Sequence, residues 1–299
     1  SEAHKDLARR VAQSAVVLLE NKNHTLPLSL QTKRVAVIGP NADNRYNMLG
    51  DYTAPQEEKN IKTVLDGVLS KLPSDRVEYV KGCAVRDTSW NEIEKAVAAA
   101  RRADVVIAVV GGSSARDFKT TYKETGAAVA DKTTVSDMES GEGFDRVSLN
   151  LMGLQGKLLR ALKATGKPLV VVYIEGRPLD KVWASQNADA LLTAFYPGQE
   201  GGLAIADVLF GDYNPSGRLP VSVPRSVGQV PLYYNKRAPR NHDYVEESYT
   251  PLYAFGYGQS YTSFAYSQLK VEKEAAHTFR VTFQVKNTGS RAGEEVPQL

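Results

Sequence analysis

The sequence predicts an α/β fold, a doubly wound and mostly parallel sheet, followed by the start of an antiparallel β-sandwich. Three observations predict it. Short, continuous apolar runs recur at residues 34–40, 105–110 and 168–174, as expected for strands buried on both faces. Helix-period segments separate them, the alternation that builds parallel crossovers. Near residue 265 the pattern changes, and residues 278–285 alternate polar and apolar side chains as a half-buried antiparallel strand does.

In chain order, apolar positions Leu7, Val11, Ala15, Leu18 and Leu19 predict an amphipathic helix over 7–19 that begins without preamble, as if the chain started in the middle of a longer protein. After a break at Leu26-Pro27-Leu28 come a strand at 34–40, a helix at 61–71, a strand at 77–81, a helix at 91–102 and a strand at 105–110. They are followed by a helix at 151–164, strands at 168–174 and 190–195, and a helix at 202–210. The expected division is therefore residues 1–32 as helix and linker, 33–264 as the α/β domain and 265–299 as the opening of a β-domain. Two strands alone are marginal in water, so the apolar face Phe279, Val281, Phe283 and Val285 is expected to pack on the α/β domain, with some tendency to self-association and so a possible homodimer.

Composition excludes several classes. With 299 residues, 42% hydrophobic and 24% charged, the chain can bury a substantial core, and a net charge of +3 with interspersed signs offers no cationic face for nucleic acid. No apolar run is long enough for a membrane span, so neither nucleic acid nor membrane is expected as a partner. A single Cys83 forms no internal disulfide, and no His/Cys spacing suggests a metal, so none is expected. The compartment stays open, periplasmic or secreted if a signal stands upstream. Glycine turns after strands, at Gly39-Pro40-Asn41 and Gly111-Gly112-Ser113-Ser114, raise nucleotide binding as a rival, but neither has a full phosphate-loop spacing.

The candidate chemistry lies in the loop Met138-Glu139-Ser140-Gly141-Glu142-Gly143-Phe144-Asp145-Arg146, at the end of a connection far longer than a strand-to-helix turn requires. On the residues alone, this is either a solvated surface run with a local Asp145/Arg146 pair or a ligand-binding loop carrying two carboxylates, Glu139 and Glu142.

The segment Gly141-Glu142-Gly143-Phe144-Asp145-Arg146, followed in order by Pro197-Gly198-Gln199-Glu200-Gly201-Gly202, Asn214-Pro215-Ser216-Gly217-Arg218-Leu219-Pro220 and Phe255-Gly256-Tyr257-Gly258-Gln259-Ser260-Tyr261-Thr262, resembles glycoside hydrolase family 3. Met152, Gln259 and Val223 depart from the usual pattern without touching this loop. The resemblance implies an exo-acting β-glucosidase or β-xylosidase built from a TIM barrel, a linker, an α/β sandwich and often a fibronectin-III-like domain, with no cofactor and a β-linked oligosaccharide as substrate. It implies that this chain is the C-terminal portion, lacking the barrel that would carry the nucleophilic aspartate.

The family's acid/base glutamate falls by motif on Glu142, with Glu139 as runner-up because this loop varies in length. Asp145 and Arg146 are then loop supports, and Asp51 and Tyr52 candidate sugar contacts, although a turn role fits Asp51 equally. Ser136-Asp137 is rejected as a nucleophile, since Met138 follows where tryptophan would stand. The alternative to an enzyme part is a non-catalytic carbohydrate-binding or scaffold module on the same fold.

Overall fold

The computed structural model describes residues 1–51, 53, 57–114, 124, 137–141, 143–235 and 242–298. Helix α1 (Glu2–Ala15) is capped by Ser1, whose hydroxyl accepts from His4 N. It leads directly into strand β1 (Val17–Asn21). The expected helix therefore stops four residues early. Val16 turns extended, and Val16, Val17, Leu18 and Leu19 are all buried, with Val17 and Leu19 in one core cluster and Val16 and Leu18 in the other. A helix in contact with one layer cannot bury four consecutive side chains, whereas a strand between two layers can. The sheet thus takes in residues that the sequence assigned to the linker ending at residue 32.

Strand β2 (Val35–Ile38) is followed by α2 (Val64–Lys71), which opens on a capping box: Thr63 Oγ1 accepts from Asp66 N at 3.1 Å while Asp66 accepts from Thr63 N at 3.0 Å. Next come β3 (Val77–Val80), α3 (Ile93–Arg102), β4 (Val105–Gly111), α4 (Gln155–Lys163), β5 (Leu169–Ile174), α5 (Val182–Asn187), β6 (Ala190–Thr193) and α6 (Gly201–Phe210). The short α5 has no counterpart in the sequence expectation.

The sheet order is β1-β6-β5-β4-β2-β3, parallel throughout except for β1, which runs antiparallel to β6 at the edge. Alternate residues serve opposite cores. Val106, Ala108 and Val110 of β4 face α3 and α4, while Val105, Ile107 and Val109 face α2 and α6. Because β2 is flanked by both β3 and β4, the winding reverses at β2/β4, and the crevice at the carboxyl ends of those two strands is where open α/β sheets bind ligands. No described helix is long and apolar enough to cross a membrane.

Strands β7 (Phe264–Ala275) and β8 (Thr278–Asn287) form a separate two-stranded antiparallel hairpin. Its return segment docks on the α/β body: Arg291 donates to Gly211 O (3.1 Å), Asn214 to Ala292 O (2.9 Å), Tyr213 to Glu294 (3.0 Å), and Arg218 bonds Glu295 (3.1 Å). The hairpin itself is not covered, contrary to the expected packing of its apolar face. Val281 and Phe283 are half-buried, but Phe279 is 56% exposed and Val285 is exposed with it. The cause is geometric, since a hairpin anchored only at its base extends about 40 Å along a twelve-residue strand, away from the surface that holds it.

Candidate active site at the carboxyl edge of the sheet

Polar side chains that are fully buried fix the backbone around the switch point. Asn41, just past β2, donates to Gly112 O (3.1 Å) and accepts from Asn47 Nδ2 (2.6 Å), tying the loop after β2 to the loop after β4. Gln155, at the start of α4, closes a pair of bonds with Gly111 N (2.8 Å) and Gly111 O (2.9 Å) and donates to Val85 O (3.1 Å). Buried amides with every group engaged cost little and set the strand ends in one arrangement.

The loop from Asp137 onward is then fastened by four strand ends in turn. Arg86, after β3, donates to Met138 O (2.6 Å). Ser113, after β4, accepts from the amides of Glu139 (2.8 Å) and Ser140 (3.3 Å). Arg177, after β5, donates to Phe144 O (2.7 Å) and lies 3.8 Å from Glu139 Oε2. Tyr196, after β6, shares a 2.7 Å hydrogen bond with Ser140 Oγ.

Glu139 sits at the centre of these bonds. Its side chain is 1% exposed, Arg146 Nη1 donates to Oε2 at 2.7 Å, and the second Arg146 arm reaches Asn150 O. Its other oxygen presses on Gly112, where a Cβ would lie 1.9 Å from Oε1, so no larger residue fits there without moving the carboxylate. Burial pushes the Asp137 carboxyl up, partly offset by Lys81 and by the amides of Arg86 and Val85. Burial also raises the Tyr196 hydroxyl, against hydrogen bonds with Ser114 and Ser140.

The sequence-derived candidates divide accordingly. Glu139 and Arg146 come together as an ion pair, so the loop support expected of Asp145 and Arg146 runs from Arg146 to Glu139, while Asp145 is exposed beside it. Asp51 joins the same corner, its Oδ2 lying 3.1 Å from where a Cβ on Gly141 would stand. Glu142 and Tyr52 lie outside the described residues. Gly141 and Gly143, on either side of Glu142, both adopt positive φ (108° and 81°), which glycine alone takes up freely. Among the described residues no His, Cys, Asp or Glu cluster is placed to hold a metal.

Sequence reasoning missed Arg86, Arg177 and Tyr196. Each is a large polar side chain within six residues after a parallel strand, on the ligand-binding edge, and that position was the signal available.

The model of the glycosyl hydrolase family 3 C-terminal domain matches residues 16–261, the whole sheet including β1. The chain belongs to glycosyl hydrolase family 3. Among curated members of the family, the periplasmic beta-glucosidase of Salmonella typhimurium is 37% identical across the full chain and a beta-xylosidase of Formosa agariphila is 36% identical. The chain spans 40% of the length of each. A β-glucosidase structure from Erythrobacter marinus superposes with a TM-score of 0.80 at 37% identity, over 98% of this chain and 40% of that one. A Listeria innocua β-glucosidase in complex with glucose gives 0.75 at 26% identity, over 98% and 43%.

Proposed function

We propose that this chain is the sandwich part of a retaining exo-β-glycosidase of the β-glucosidase or β-xylosidase type, working with a barrel domain of the same protein, and that its 137–146 loop delivers the general acid/base. The observation that carries the reading is the fastening of this loop by the ends of β3, β4, β5 and β6, directly beside the switch-point crevice. A loop that only had to be solvated would need no buried ion pair at its root. The names of the relatives support the substrate class, β-glucosides or β-xylosides.

Glu142 is the proposed acid/base. It would protonate the leaving glycosidic oxygen in the first step and take a proton from water in the second, while a carboxylate about 5 Å away, supplied by the barrel, forms and releases the glycosyl-enzyme. Glu139 suits this role poorly, because one of its oxygens is held by Arg146 and its side chain is shut away from solvent. Asp51, beside Gly141, is a proposed sugar contact together with Tyr52. Residues 1–299 by themselves are expected to show no turnover of aryl β-glycosides.

The test is Glu142→Gln in the full-length enzyme. Substrates with poor leaving groups should slow by about 10²- to 10⁴-fold, activated aryl glycosides far less, and azide should restore turnover of the activated ones. If Glu139→Gln shows this leaving-group dependence and Glu142→Gln does not, the role passes to Glu139.

A further inference from the structure

A second buried ion pair lies under the carboxyl edge, in the connection between β5 and α5. Lys181 is 0% exposed, and its ammonium touches both oxygens of Glu175 (2.6 and 2.7 Å), Leu179 O (3.0 Å) and the Tyr173 ring, 4.4 Å from its centroid. Glu175 also accepts from Thr193 Oγ1 (2.6 Å) and Leu179 N (3.1 Å). Burial pulls the Lys181 pKa down against the attraction of Glu175 and Asp180. A buried pair of this kind is a weak source of stability, since desolvation consumes most of the attraction, so its use must lie in what it holds in place.

Its surroundings show what is held. Glu175 N donates to Phe195 O (3.1 Å), and Phe195 adopts φ +52°, a left-handed conformation uncommon for a non-glycine residue and retained only where neighbours enforce it. The residues that follow these two are the loop fasteners. Arg177 stands two positions after Glu175 and Tyr196 one after Phe195. The Tyr196 ring lies against Gly176 so closely that a Cβ there would come within 2.5 Å of it. Asp180, next to Lys181, donates its amide to Leu149 O (2.8 Å), beyond the other end of the same loop.

We infer that Lys181 and Glu175 form a positioning pair for the 137–150 loop, locking the ends of β5 and β6 so that Arg177 and Tyr196 hold that loop in one place. The pair touches no candidate substrate group and acts through those two residues. Calling the loop catalytic rests on the function proposed above, but the brace itself does not.

The experiment is amide hydrogen exchange on the chain carrying Glu175→Leu together with Lys181→Met, which removes both charges at nearly constant volume. Protection of the Glu139, Ser140 and Phe144 amides should fall by roughly tenfold or more while that of β4 stays as in the unaltered chain, the pattern of a locally released segment. Equal loop protection in a folded double variant overturns the inference, as does an equal loss across β4. Should the double variant not fold, Thr193→Val, which removes one bond from Glu175, decides by the same amides. Tyr196→Phe, which leaves the pair intact and cuts its outer link to Ser140, should release Ser140 with no change at β4. No substrate is needed, so a loop that loosens in an enzyme whose acid proves to lie elsewhere would sink the functional reading and leave the brace standing.

Discussion

The two edges of the same sheet treat charge differently. At the amino edge, Arg102 pairs with Glu78 with both side chains exposed, 51% and 41%, and Lys163 reaches Asp189 at a partly buried position. At the carboxyl edge, Glu139 with Arg146 and Glu175 with Lys181 are shut inside. Exposed pairs are interchangeable with water, whereas buried ones admit a single geometry and penalise any departure from it. The difference shows where this fold needs accuracy: the edge that carries the 137–146 loop is held by the bonds that are most expensive to break.

Removing one partner of a carboxyl-edge pair should give the largest effect. Glu139→Ala leaves Arg146 buried without its counter-charge, and Lys181→Met does the same to Glu175, so each should cost about 3–5 kcal/mol in urea unfolding. Values within the range of ordinary surface substitutions would erase the distinction between the edges.

That distinction was only half legible in the sequence. The apolar runs of β2, β4 and β5 declare strands buried on both faces, and the family resemblance offers the glycine-flanked Glu142 as a candidate acid/base. Glu139 could be read only as a rival acid, because its partner Arg146 is seven residues away and Gly112 and Arg177 are brought to it by the winding of the sheet. Strand β1 was hidden for a related reason. Leu7, Val11, Ala15, Leu18 and Leu19 fit a helical period, and only pairing with β6, 169 to 176 residues later, turns Val17 to Asn21 into a strand. The hairpin misled in the opposite direction, since its alternation predicts a covered face, yet Phe279 and Val285 are exposed.

One buried carboxylate away from the carboxyl edge tests whether burial alone sets the cost. Asp207 of α6 accepts from Arg9 (2.7 and 2.6 Å), Gln13 (2.7 Å) and Lys71 (2.6 Å), tying α1 and the end of α2 to α6. Burial would push its carboxyl up, but these bonds hold it below the usual aspartate range. A depressed native pKa means that the unfolded chain binds the proton first, so this stability is fully present above the unfolded value of about 3.9 and is lost as pH falls below it. Asp207→Asn should cost about 3 kcal/mol near neutral pH, where the charged hydrogen bonds are made. It should also flatten the decline of stability on acidification below about pH 4, read from urea midpoints across that range. An unchanged acid slope would assign the decline to other carboxylates.

Gly112→Ala probes the carboxyl edge without altering a charge. The added methyl carbon would meet Glu139 Oε1 at 1.9 Å, so the carboxylate must shift, and its bond to Arg146 must stretch or turn with it. A loss of about 1–2 kcal/mol is expected, the usual range for one extra carbon in a packed site. In the full-length enzyme a fall in kcat larger than that stability change accounts for would show that the root of the loop sets its reach.

The smallest effect should come from Glu78→Gln at the amino edge, and it carries the other half of the comparison. Glu78 bonds Arg102 through both carboxylate oxygens, which on paper rivals the contact between Glu139 and Arg146. Yet solvent reaches both partners, so breaking the pair returns two long side chains to water and to their rotamer freedom. The net change should stay below about 0.5 kcal/mol and shrink further as salt is added. The same salt titration on Glu139→Ala should leave its deficit nearly unchanged, because counter-ions cannot enter where Arg146 and Glu139 meet. If instead the Glu78 variant lost several kcal/mol, hydrogen-bond geometry rather than burial would govern charge in this domain, and the case for a specially braced carboxyl edge would fall with it.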